Sequence, residues 1–341
     1  MTVSRKSLAV YSLAHFWMDL SCAFLLFRTL SDSPRWGLCL LLYNFCAFAL
    51  QMPLGLLADR LGRSQQVAAA GCVLTALACI SPLPLPAAVI AGTGNALFHL
   101  GGGIAVLHCS TDRAAPLGVF ISPGALGLYI GTVWGRNAAP WLGLAPLGLL
   151  LMAALILRQC PRTAGTFRPG SAPPDLSAPE GYGVLLPLFL VVVLRSYMGM
   201  NQSFPWKSQW VLVLTLALVL GKTAGGFLMD SLGPRRASAL SLGLAAALYL
   251  ASALPLPGTL AVFLFNMTMP VTLWAAARFM PGAKGFAFGL LTFALFLGYL
   301  PSYLGWPSLL TRPAAYACAA LLSLAMLWPV LGRGIKLCLQ S

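Results

Sequence analysis

Apolar residues fall in runs of about 20 along this chain, each closed by a short polar or proline-bearing break. A helix needs about that many consecutive apolar residues to cross the hydrocarbon core of a bilayer. The runs predict twelve membrane helices, at approximately 7–30, 36–57, 66–83, 86–109, 116–135, 138–157, 182–203, 208–229, 237–254, 257–279, 284–305 and 312–332. Residues that interrupt helices mark the breaks. Pro82-Leu83-Pro84-Leu85-Pro86 separates the third run from the fourth, and Pro255-Leu256-Pro257-Gly258 stands at the matching place in the second half. Backbone polar groups find no water inside lipid, so such breaks belong at the membrane surfaces.

One segment lacks the apolar pattern. From Arg158 to Gly181 it carries Pro161, Pro169, Pro173, Pro174 and Pro179 among Gly, Ser and Thr, a composition that predicts a flexible linker. It divides the chain into an N-terminal six-helix bundle (1–157), a central linker (158–181) and a C-terminal six-helix bundle (182–341). A short phrase recurs once in each half. Gly55-Leu56-Leu57-Ala58-Asp59-Arg60-Leu61-Gly62-Arg63 closes the second run, and Gly226-Phe227-Leu228-Met229-Asp230-Ser231-Leu232-Gly233-Pro234-Arg235 closes the eighth. Gly55/Gly226, Asp59/Asp230 and Gly62/Gly233 align without a gap, the mark of two halves built on one plan.

Composition removes the soluble classes. Of 341 residues, 59% are hydrophobic and only 8% charged, whereas a soluble domain carries about 25% charged residues. Lipid must cover most of the surface. The net charge of +14 is not a nucleic-acid signal, because the bases are spread through short loops rather than clustered on a polar domain. There they set orientation. With the N-terminus in the cytoplasm, that side receives Arg5, Lys6, Arg60, Arg63, Arg113, Arg158, Arg162, Arg168, Arg235, Arg236, Arg278, Lys284, Arg333 and Lys336. The outer side receives Arg28, Arg35, Arg136, Lys207 and Arg312, so fourteen bases against five place both termini inside. The apolar stretch after Arg5 and Lys6 contains His15 and Asp19, which marks a first membrane helix rather than a cleavable signal. The nine cysteines show no C-x-x-C or Cys/His metal spacing and are expected as small apolar packing residues, with no metal site. No G-x-S-x-G, H-E-x-x-H or phosphate-binding loop occurs, so neither an enzyme nor a cofactor is expected.

Six plus six helices, a central linker and the duplicated loop together resemble the major facilitator superfamily. The first loop is similar to that superfamily's G-x-L-A-D-R-x-G-R signature. The second has Ser231 for the first Arg, and Pro234 before Arg235-Arg236. His15-Phe16-Trp17-Met18-Asp19 in the first run and Phe98-His99 in the fourth resemble the fosmidomycin-resistance-type branch. Leu100-Gly101-Gly102-Gly103 stands where that branch has Pro and an acid. The resemblance implies an all-α integral membrane protein of twelve transmembrane helices in two pseudo-symmetric six-helix bundles, the major facilitator fold. It also implies that Gly55, Asp59, Arg60, Gly62, Arg63, Gly226, Asp230, Gly233, Arg235 and Arg236 form conformational gate loops at the cytoplasmic face.

Ionisable groups inside apolar helices are functional candidates, because a charge at the bilayer centre costs about 2.5 kcal/mol or more. His15 and Asp19 share one helix face at i, i+4 and are the expected proton-coupling pair. Asn95 and His99 repeat that spacing on the fourth helix and, with Arg195 on the seventh, are the expected substrate-binding residues. Arg195 needs an anion, which a substrate or Asp19 would supply. Lys222 also lies within a run, within snorkelling reach of the surface. Gly118, Gly124, Gly127, Gly131 and Gly135 give the fifth helix a small-residue stripe resembling in part that of antiporters, with Pro123-Gly124 in reverse order. The expected function is proton-coupled efflux of a small amphipathic or anionic molecule by a monomer in a cell inner membrane. Its expected partners are a small-molecule substrate, protons and the lipid bilayer, with no nucleic acid. Uptake of a nutrient or metabolite by the same fold, or a non-transporting membrane sensor, are the alternatives.

Overall fold

The computed structural model describes residues 4–108, 110, 112–137, 143–161 and 179–334. Helices fill them, and no strand occurs among the described residues. They are α1 (Arg5–Arg28), α2 (Trp36–Asn44), α3 (Gln51–Leu61), α4 (Ser64–Cys79), α5 (Pro84–His108), α6 (Ala115–Arg136) and α7 (Leu144–Gln159). Then follow α8 (Pro179–Asn201), α9 (Val211–Leu232), α10 (Pro234–Leu250), α11 (Pro255–Asn266), α12 (Thr268–Phe279), α13 (Lys284–Tyr303) and α14 (Pro313–Pro329). A wide turn at Phe45–Ala49 joins α2 to α3, and α12 follows α11 after Met267 alone, so the described residues form twelve rods. Nine of these are long and apolar enough to cross a membrane, while α4 and α7 are shorter apolar helices and α10 opens on Arg235-Arg236. The chain is a multi-pass integral membrane protein. Most of the expected linker, with Arg162 and Arg168, lies outside the described residues, as does Lys336.

Two rods are interrupted where proline withholds an N–H. Pro53 cannot bond the carbonyl of Ala49, and in the preceding wide turn Leu50 N–H reaches back five residues to Phe45 O at 3.2 Å. The Gln51 side chain donates to Ala47 O at 2.5 Å and satisfies a carbonyl within that turn. Pro270 likewise leaves Asn266 O without its usual donor, next to the junction at Met267.

The described residues fall into two compact units with the following outer bounds. One comprises Met1–Ser110, Phe120–Arg168 and Ala283–Phe293; the other comprises Thr111–Val119, Pro169–Gly282 and Ala294–Ser341. In the first, α4 lies along α5 at glycine contact. A Cβ at Gly71 would strike the backbone of Phe98, and one at Gly101 the backbone of Ala68 and Ser64. Glycines on α6 do the same against α1, where Cβ atoms at Gly127 and Gly131 would meet the carbonyls of Phe16 and Leu20. In the second unit, Gly221 and Gly225 of α9 lie against the backbones of Phe263 and Met267. Small residues permit such approach where lipid supplies no hydrophobic drive between helices.

This packing gives a direct test. Gly101→Leu is expected to destabilise the protein by about 1–3 kcal/mol or more, since rigid backbone must move. Gly243→Ala, on α10 with nothing near its added carbon, is expected to be neutral or stabilising by up to about 1 kcal/mol. Thermal unfolding of the two variants in detergent checks both signs.

Candidate functional site

The glycine stripe of α6 draws that helix onto α1 and thereby builds a polar cluster. His15 Nδ1 meets the carbonyl of Phe120 on α6 at 2.8 Å, and His99 Nδ1 meets the carbonyl of Asn95 at 2.9 Å. A carbonyl only accepts, so each Nδ1 donates to it, and a ring carrying its proton there offers Nε2 as an acceptor. Those two Nε2 atoms face each other at 2.9 Å. The Asp19 carboxylate completes the group, with Oδ2 at 3.3 Å from His15 Nε2 and Oδ1 at 3.7 Å from His99 Nε2. Asn95 Nδ2 donates to Asp19 Oδ1 at 3.3 Å and to Cys22 Sγ at 3.6 Å. His15 is buried, and the Asp19 side chain keeps 20% exposure. Gly124 closes one side; a Cβ there would strike His15 Nε2 and Asp19 Oδ2. Two ring nitrogens and a carboxylate thus converge, an arrangement that a shared positive charge reconciles: a proton on one ring or a metal ion among the three groups.

The structure therefore brings His15, Asp19, Asn95 and His99 into one network. The sequence did not identify Cys22, the Phe120 carbonyl or Gly124 as parts of it. Gly124 carried a signal in the α6 stripe; a backbone carbonyl carries none.

Arg195 occupies the second unit, in α8. It is only 7% exposed, and its guanidinium donates to Thr272 Oγ1 on α12 at 3.4 and 3.5 Å. None of the ion pairs among the described residues includes it. Its unit's described carboxylates are engaged elsewhere, Asp112 with Arg278 at 2.9 Å and Asp230 with backbone amides. Arg195 opens instead on a cavity of about 210 Å³ whose polar lining is Gln202, Lys207, Thr215 and Asn266. That is room for about seven waters, or a small solute. Lys207 Nζ donates to Gln202 O at 2.6 Å, and burial pushes the Lys207 pKa down from its ordinary value. The Gln202 side chain and the Tyr249 hydroxyl are buried beside each other in the same region.

Aromatic packing fixes the loop that carries Lys207. Phe204 and Trp206 stack with ring centroids 4.8 Å apart, Trp206 Nε1 donates to Ser252 O at 3.0 Å, and the Tyr316 hydroxyl donates to Ser203 O at 3.1 Å. Lys207 was assigned from sequence only to membrane orientation, because its burial depends on this tertiary fold of residues 203–210.

The duplicated loops use their acids in one way. Asp59 accepts from the Gly285 and Phe286 N–H groups at 2.8 and 2.9 Å, and so caps the start of α13. Asp230 accepts from Ala114 and Ala115 N–H at 2.6 and 3.2 Å, at the start of α6. Each carboxylate satisfies amides that a helix N-terminus leaves unpaired, and meets the positive end of its dipole. Gly55 and Gly226 allow this approach, since Cβ atoms there would strike the backbones of Gly285 and of Ala114-Ala115. Gly62 ends α3 at φ +60° and Gly233 precedes α10 at φ +80°, both in the region that favours glycine. Arg60, Arg63 and Arg236 are exposed, and Arg235 lies over the Trp328 ring at 3.8 Å. The acids of both loops thus contact helix amides.

No protein-family model and no curated protein matches this sequence. Solved structures do. The Major Facilitator Superfamily transporter FucP, in the outward conformation, superposes with a TM-score of 0.65 at 14% identity, over 96% of this chain and 99% of its own. A variant of the E. coli fucose:proton symporter FucP gives 0.65 at 14%, over 95% and 97%. The human organic anion transporter MFSD10 (TETRAN) gives 0.65 at 17%, over 96% and 98%. Agreement over nearly the whole of each chain, joined to twelve helical rods and a duplicated loop, identifies the architecture: the chain has the major facilitator fold.

Proposed function

We propose that this chain is a member of the major facilitator superfamily and a secondary transporter that moves a small organic anion by alternating access. The observation that carries the reading is Arg195, a permanently charged group buried in an apolar helix with, among the described residues, only a threonine hydroxyl as partner, facing a cavity. A buried charge without a counter-ion is costly, and an anionic solute in the cavity would supply one. Lys207 adds a second cation to the cavity lining. The name of TETRAN as an organic anion transporter supports this choice of cargo, and the fucose:proton symporter supports coupling to a cation. His15, Asp19, Asn95 and His99 hold the coupling cation. Both termini lie in the cytoplasm of an inner membrane by the bias of basic residues, and the glycine stripe of α6 supports export.

Counterflow in proteoliposomes tests the reading. Vesicles preloaded with a small mono- or dicarboxylate are expected to accumulate the labelled anion transiently and saturably. Exchange of neutral sugars but of no anion would remove the anion assignment. No exchange of any solute, in protein that is folded, would leave the sensor reading.

A further inference from the structure

We propose that His15, Asp19 and His99 form a binding site for one divalent transition-metal ion of the zinc, cobalt or nickel type. The inference names the cation of the preceding reading and rests on it for the ion's role, but the binding itself stands on geometry. Two imidazole nitrogens and one carboxylate form a borderline N/O ligand set that suits these ions better than calcium or magnesium. An ion bonded at about 2.1 Å with ligand angles of 90–120° has its ligand atoms roughly 3.0–3.6 Å apart. The two Nε2 atoms stand 2.9 Å apart, Asp19 Oδ2 is 3.3 Å from His15 Nε2 and Asp19 Oδ1 is 3.7 Å from His99 Nε2. One ligand atom from each of the three residues lies within 4.8 Å of the others, so a small rotation of the carboxylate brings the set to that spacing.

The surrounding shell is that of a metal site. Ligating histidines donate their second N–H to a carbonyl or carboxylate, which fixes tautomer and ring orientation. His15 does so to Phe120 O, and His99 to Asn95 O. Asn95 also holds the Asp19 carboxylate through Nδ2. The missing side chain of Gly124 lets α6 come against His15 Nε2 and Asp19 Oδ2, and the partly exposed Asp19 leaves a side open for a further ligand or for exchange. Local ligand spacing in the sequence gave no sign of this, because His15 and His99 are 84 residues apart.

The test is titration of the purified full chain in detergent with Co²⁺ alone, followed by visible absorption and calorimetry, then displacement by Zn²⁺. One Co²⁺ per chain is expected, with ligand-field bands that Zn²⁺ removes. Asp19→Asn and His99→Gln are each expected to weaken binding by about 100-fold or more, beyond the roughly 10–100-fold typical of outer-shell changes. Gly124→Ala keeps every ligand but fills the cradle, and is expected to weaken binding by at least about tenfold. Metal-free thermal unfolding shows that each variant is folded. No saturable Co²⁺ binding by the unsubstituted chain up to about 1 mM, or unchanged affinity in His99→Gln, would overturn the site. Because no flux is measured, this outcome is separate from failure of the transport reading.

Discussion

Asp59→Ala is expected to speed hydrogen exchange at the Gly285 and Phe286 amides by about ten- to a hundredfold, and Asp230→Ala to do the same at Ala114 and Ala115. Hydrogen bonds to a charged acceptor contribute about 1.5–3 kcal/mol each, and the dipole adds roughly 0.3–1 kcal/mol. Asp59 makes two such bonds and is only 4% exposed, so water replaces its oxygens poorly. A net loss of about 1.4–2.8 kcal/mol corresponds to the tenfold to hundredfold range. Asp59→Asn is the informative intermediate, since its amide oxygen keeps one acceptor and its NH₂ cannot accept from the second N–H. Arg60→Ala is expected to leave exchange at these amides unchanged, because Arg60 is exposed and takes no part in the cap. Exchange followed by mass spectrometry decides the matter; equal rates in Asp59→Ala and the unsubstituted chain would show that the cap contributes nothing.

Much of the fold was legible because bilayer thickness fixes the length of every apolar run. The errors lie where proline chemistry acts locally. The third run was expected to reach residue 83, but α4 stops at Cys79. Pro82 has no N–H for Ala78 O, and Ser81 N–H takes that carbonyl instead at 3.2 Å. The interruptions at Phe45–Ala49 and Met267 left no change of hydrophobic period, only Pro53 and Pro270 inside otherwise continuous runs.

The site was legible in its parts more than in its assembly. The i, i+4 pairs His15/Asp19 and Asn95/His99 follow from helical spacing alone. Their meeting requires α1, α5 and α6 to approach at glycine contact, which a single sequence does not specify. The acids of the duplicated loops were visible and their partners were not. Every residue owns an amide N–H, and only a helix start leaves it unpaired. The arginines, more conspicuous in the sequence, take no part in those caps.

Arg195→Met is expected to cut anion exchange by about 100-fold or more while leaving the midpoint of thermal unfolding unchanged or higher. The two signs follow from one cause. Arg195 makes no ion pair among the described residues, so its charge is a net cost to the empty protein, and an apolar side chain of similar length removes that cost. The same charge is what an anionic solute in the cavity would meet, and 100-fold corresponds to about 2.7 kcal/mol of lost interaction. Arg195→Lys keeps the charge but not the planar fork, and is expected to retain part of the activity. Lys207→Gln, at the cavity's loop, is expected to raise the half-saturating concentration more than it lowers the maximal rate. Ligand stabilisation completes the contrast: a transported anion at about 100 times its Kd stabilises the unsubstituted protein by roughly 2.7 kcal/mol and should not stabilise Arg195→Met. A large fall in unfolding midpoint for Arg195→Met without anion would instead mark Arg195 as part of the helix packing, and the cavity would lose its claim to the substrate.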